Sequence, residues 1–123
     1  MRLFRILSIF AMASAIQTSP VFAEAARKSS PELLKKGEAA YKTNCLICHG
    51  EKGDGNGPAG AMMNPKPRSF AKDAFKKGDK PEQIFETISK GLEGTAMASF
   101  SYLPEEDRWG LAYYVLKLKK SSK

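Results

Sequence analysis

Both cysteines of this chain and its one histidine fall in a single pentapeptide, Cys45-Leu46-Ile47-Cys48-His49. The spacing is C-x-x-C-H. Thiols three residues apart on a helical turn share a side, so each can form a thioether with one vinyl group of a haem, and His49, next in line, then faces the iron as an axial ligand. Other chemistries fit the same residues less well. A redox-active disulfide of the thioredoxin kind needs a βαβ context, and residues 24–123 carry no alternating β-branched run. Zinc needs a fourth ligand that no further His or Cys supplies. A structural disulfide here would close a loop too short to restrict the unfolded chain much.

The chain that must position this motif is short: 123 residues, 42% hydrophobic and 27% charged, with 20 Lys+Arg against 13 Asp+Glu. That composition suits one small globular domain and excludes a multidomain enzyme or a disordered chain. The first 23 residues read as an export signal. Arg2 and Arg5 form a basic start, Ile6 to Ile16 an apolar stretch too short to cross a bilayer comfortably, and Val21-Phe22-Ala23 a cleavage site. Cleavage after Ala23 removes Arg2 and Arg5 and lowers the net charge from +7 to +5. Residues 24–30, small and polar, are expected to be a flexible start, and 31–123 the domain proper. A unit this small commonly adds a cofactor, metal or disulfide to its core.

Three helices are expected around the motif. The first opens at Pro31, capped by Ser29 or Ser30, with Leu33, Leu34, Gly37 and Tyr41 on one stripe. Glycine in a helix interior costs about 1 kcal/mol against alanine, so Gly37 calls for a packing reason. The second runs from about Pro81 to Lys90, with Asp79 and Glu82 in capping-box relation and Ile84, Phe85 and Ile88 on one face, and it stops at Gly91. The third starts near Pro104 with acids in its first turn and Leu111, Tyr114, Val115 and Leu118 inward; Lys117, Lys119 and Lys120 end it as a solvated tail. Between them, five glycines among residues 50–60 predict a loop that wraps closely around a flat macrocycle, and without a Gly-Lys-Ser/Thr ending it is no phosphate loop. Pro65 and Pro67 keep the next segment extended, where it is expected to line the haem on the histidine side.

The chain resembles the class I c-type cytochromes over residues 31 to about 118. Besides Cys45–His49, the matching residues are Gly37, Tyr41, Gly94-Thr95-Ala96-Met97, Phe100, Leu111 and Tyr114. The resemblance implies an all-α fold in which the N- and C-terminal helices cross closely at the glycine and loops wrap one covalent haem c. It also implies a proline carbonyl, from Pro58, Pro65 or Pro67, accepting the Nδ1 proton of His49. For the second iron ligand the exported chain offers Met62, Met63 and Met97. Met97 is the better placed, 48 residues after His49 in a loop that can return on the opposite haem face, whereas Met62 and Met63 follow the motif too closely and are read as filler at the rim or in the core. Phe100 and Tyr102 are expected beside it.

A His49/Met97 haem leaves no open position for a substrate, and no nucleophile–base pair or paired carboxylates argue for catalysis. The leading reading is a periplasmic, monomeric electron shuttle with no membrane span after signal removal and no nucleic-acid partner. A ligand-binding sensor or weak peroxidase with a labile sixth ligand is the alternative from another class, and an electron-accepting subunit of one oxidoreductase complex lies between. Lys66, Arg68, Lys72, Lys76, Lys77 and Lys80, against Asp73 and Asp79, give residues 66–80 a local +4 and point to redox partners with acidic docking surfaces.

Overall fold

The computed structural model describes residues 27–121; the export-signal reading of residues 1–23 lies outside them. Helix α1 spans Pro31–Asn44, and Ser30 caps it, its Oγ accepting from the Leu33 N–H at 3.1 Å. A single turn, α2, covers Leu46–His49, followed by a 3-10 turn at Gly60–Met62. Helix α3 is Pro81–Lys90 and α4 is Glu105–Ser121. No strand occurs among the described residues, so the chain is all-α as expected.

The crossing of α1 and α4 dominates the packing. A Cβ placed on Gly37 would lie 2.0 Å from the carbonyl oxygen of Gly110, and one on Gly110 would lie 2.5 Å from the Leu33 carbonyl oxygen. The two backbones touch because neither residue has a side chain. Tyr41, one turn beyond Gly37, then packs its ring 5.2 Å from that of Tyr114. Helix α3 leans on α4 from the other side, so that Ile84 and Ile88 join Tyr41, Phe70, Leu111 and Val115 in one buried core. Trp109 is buried with its ring stacked 4.3 Å from Phe85.

Two expected details differ. The α3 N-terminus is not closed by Asp79 and Glu82: Gln83 Oε1 accepts from the Lys80 N–H at 3.1 Å, and Asp79 instead pairs with Lys119 at 2.7 Å. Gly78, at φ +97°, lies against the Gln83 amide where a side chain would collide with it, which makes room for this arrangement. Nor is the end of α4 wholly a solvated tail, since the Lys119 ammonium also lies over the Phe75 ring at 4.7 Å. Within the stretch read as a flexible start, the Arg27 carbonyl accepts from the Tyr113 hydroxyl and its guanidinium pairs with Glu105 and Glu106.

The glycine contact gives an unusual sign. Gly37→Ala in an open helix would stabilise by about 1 kcal/mol; here the new methyl must force the helices apart, and a loss of about 3 kcal/mol is expected in urea unfolding.

Candidate functional site

Helix α1 ends at Asn44 and the chain passes at once into the Cys45–His49 turn. The Cys45 carbonyl accepts from the Cys48 and His49 N–H groups at 3.2 and 2.9 Å, which winds the motif into one tight turn. The glycine-rich segment then folds back on it. Gly55, Gly57 and Ala59 donate their N–H groups to the carbonyls of His49, Cys48 and Ile47 at 2.9, 3.2 and 2.9 Å, satisfying the open C-terminal end of α2. The close backbone approach expected of these glycines is made to the motif itself. Cβ atoms on Gly57 and Gly60 would lie 2.4 and 2.1 Å from the carbonyl oxygens of Ile47 and Cys48, so the glycines are needed for approach to the motif's own backbone.

Cys45, Cys48, His49 and Met97 line one hollow of about 400 Å³. A smaller adjoining hollow of about 60 Å³ shares Cys45, His49 and Met97 and reaches inward to Ile84, Leu111 and Val115. Neither cysteine is in a disulfide. Burial, with some help from Cys48, pushes the Cys45 thiol up to about 12, so it is protonated at neutral pH. His49 is held against Phe70, ring centroids 4.8 Å apart and nearly parallel, and Phe70 in turn meets Tyr41 and Phe75 edge-on. The Tyr41 hydroxyl donates to the Gly50 carbonyl at 2.6 Å, which ties the aromatic cluster to the residue following His49.

Burial lowers the His49 pKa below its ordinary value; the Arg68 backbone opposes this and the Arg68 charge adds to it. Nδ1 is buried without a hydrogen-bond partner. The expected proline carbonyl therefore does not take that proton; the backbone that bears on the ring is Arg68's, one residue past Pro67. Pro65 and Pro67 do line the large hollow, whereas Pro58 is absent from its wall. The Pro67 carbonyl faces Gly55, where a Cβ would lie 2.2 Å from it.

Met97 reaches the hollow from a closed turn. Its N–H donates to Thr95 Oγ1 at 3.2 Å, and its carbonyl accepts from the Leu92 N–H at 3.1 Å. The two other methionines separate: Met63 lines the hollow while Met62 is 88% exposed, on neither rim nor core. Phe100 also lines it, but Tyr102 is exposed. Of the basic patch, Lys66, Arg68 and Lys76 border the large hollow and Lys77 the small one, with Asp73 the acid among them. Arg68 was legible in sequence only as one charge of six. Its lodging beside the histidine, with the guanidinium 5.8 Å over Phe75 and donating to the Ala74 carbonyl, has no periodic signal.

Two thiols, a buried imidazole and a thioether around a mostly apolar hollow are a donor set suited to a covalently tethered haem, and the orphaned Nδ1 is polar capacity that an iron-bound ring would retain. The fold and this donor set are those of a c-type cytochrome, a class that transfers electrons. Residues 32–115 match the family described as cytochrome C oxidase, cbb3-type, subunit III, and the chain belongs to that family, whose members carry covalent haem c. Among solved structures it is similar to the reducing HAO-like protein complex of Kuenenia stuttgartiensis, at 31% identity and a TM-score of 0.69 over 76% of this chain. The match spans 46% of that longer chain.

Phe70 is the packing centre of the site. Phe70→Ala is expected to lower stability by about 3–5 kcal/mol in urea unfolding, since a buried aromatic ring shared by three others leaves a cavity that cannot collapse.

Proposed function

We propose that this protein is a monohaem electron carrier, exported to the periplasm by residues 1–23, in which Cys45 and Cys48 would tether haem c and His49 and Met97 would ligate its iron. The observation that carries this reading is the convergence of Cys45, Cys48, His49 and Met97 on one hollow, although Met97 lies 48 residues beyond His49 in sequence. When bound, the haem supplies a one-electron iron couple, and a His/Met ligand pair raises its potential relative to harder ligands. The polypeptide does the rest. The α2 turn presents both thiols, Phe70 fixes the plane of the His49 ring, and Ile88, Leu92 and Val115 keep water from the buried side. Lys66, Arg68 and Lys76 at the hollow's border favour a redox partner with an acidic docking surface.

A second reading has its own support. The matched structure is part of a protein complex, and the family is described as an oxidase subunit, which favours an electron-accepting subunit over a free shuttle. Affinity purification of the tagged protein at low salt separates the two: a stoichiometric companion marks a subunit, and recovery alone a shuttle. No helix of the described residues is long and apolar enough to cross a membrane.

The mature protein is expected to give a low-spin c-type spectrum in both redox states, unmoved by carbon monoxide. Met97→Ala is expected to become high-spin and to bind carbon monoxide rapidly. Carbon monoxide binding by the wild type at a comparable rate would instead move the reading to a sensor or peroxidase. Charge reversal at Lys66 and Lys76 together is expected to slow electron transfer to an acidic redox partner about tenfold at low ionic strength, with the difference closing as salt is raised.

A further inference from the structure

Met97 sits in a strap, residues 91–103, that joins α3 to α4, and the two halves of the strap are held differently. The half before Met97 closes on itself: Thr95 Oγ1 donates to the Leu92 carbonyl at 2.7 Å and accepts from the Met97 N–H. The half after it is bonded outward. Ser99 Oγ donates to the Ser89 carbonyl at 2.6 Å, and the Phe100 N–H donates to the Ile88 carbonyl at 3.0 Å. Arg108, in the first turns of α4, completes the fastening from the opposite side. Its Nε donates to the Leu103 carbonyl at 3.2 Å and its Nη1 to Ser89 Oγ at 2.6 Å. The guanidinium lies 4.9 Å from the centre of the Phe85 ring, which stacks on Trp109. Ser89 therefore receives the strap on its carbonyl and α4 on its hydroxyl.

We propose that Arg108 is a positioning residue for Met97: by bonding Ser89 and the Leu103 carbonyl it locks residues 99–103 into the corner between α3 and α4, and so sets how readily the Met97 thioether leaves the iron. The inference rests on the reading of Met97 as an axial ligand. Its physical basis is the difference in kind between the fastenings. Those made by Arg108 are charge-assisted and half-buried, whereas the others along the strap join neutral groups. The strap has no helical ladder of its own, so its opening is a local event, set by these bonds together with the Tyr102 hydroxyl's bond to Asn44 Oδ1 at 3.4 Å and the packing of Met97, Phe100 and Leu103 on the core. Ligand exchange at the iron then follows the population of the open strap, not global unfolding.

The test uses the intact haem protein. The wild type, Arg108→Gln, Ser89→Ala and Ala40→Gly are compared for the thioether-to-iron charge-transfer band of the oxidised form and for the rate of carbon monoxide binding to the reduced form. Ala40 is buried in α1, on a different helix from Ser89 and Arg108, so its glycine variant lowers global stability without removing any of the bonds those two residues make. Removing the charge-assisted bonds is expected to speed carbon monoxide binding about tenfold or more in Arg108→Gln. Ser89→Ala moves the same way by a smaller factor, and Ala40→Gly stays at the wild-type rate. Should Arg108→Gln fail to fold, Ser89→Ala against Ala40→Gly carries the comparison. An unchanged rate in the strap variants, or an equal rise in Ala40→Gly, overturns the positioning role while the wild-type band keeps Met97 as ligand. A wild type without that band overturns the Met97 assignment itself, and this role with it.

Discussion

The contact between Gly37 and Gly110 is the constraint from which the site follows. With no side chain on either residue, α1 and α4 approach to backbone distance, and every residue beyond the crossing is placed by that approach. One turn on, Tyr41 is pressed against Tyr114 and Phe70. Three residues further, α1 ends and delivers Cys45 to the edge of the hollow whose inner wall is Leu111 and Val115 of α4. A wider crossing would separate the motif from the wall that it faces.

The motif is then held from behind. The glycine-rich loop lays its N–H groups on the carbonyls of Ile47, Cys48 and His49, leaving the cysteine and histidine side chains to the hollow on the other side. The histidine ring is oriented by shape: Phe70 stacks on it, and no hydrogen bond reaches its Nδ1. In many metal-binding histidines an acceptor bonded to the other ring nitrogen fixes the ring and raises its basicity. In this chain an aromatic cluster performs the fixing, and burial disfavours the imidazolium with the Arg68 charge beside it, against the opposing effect of the Arg68 backbone.

Charge is arranged on the same plan. Many of the acids away from the hollow are engaged with neighbouring bases, Glu38 with Lys42, Glu86 with Lys90, and Glu106 with Lys36 and Arg27. Exposed pairs of this kind contribute little to stability, but they cancel much of the field on those faces. At the hollow the pattern is reversed: Lys66 donates to the Asn56 amide oxygen and Arg68 to the Ala74 carbonyl, both neutral acceptors, so their charge is not cancelled by the bonds they make. The result is a positive border around an apolar opening.

Signals that act within a few residues were readable in the sequence. The C-x-x-C-H turn, the Ser30-Pro31 start of α1, the Pro81 and Gly91 limits of α3 and the acidic first turn of α4 depend on near neighbours, and they stand where expected. Even Gly37 announced a close contact, because an unfavourable residue inside a helix implies a packing reason. Other features were decided by residues that meet only when the chain closes. Gln83 rather than Glu82 closes the start of α3 because Gly78 leaves space for its amide and Lys119, forty residues on, takes Asp79. The loop glycines serve the motif's own backbone, Arg68 lodges beside His49, and Met62 and Met63 part company. Sequence patterning determined the elements and the donor set; tertiary packing decided which groups surround them, because burial and hydrogen-bond partners come from segments that no local period connects.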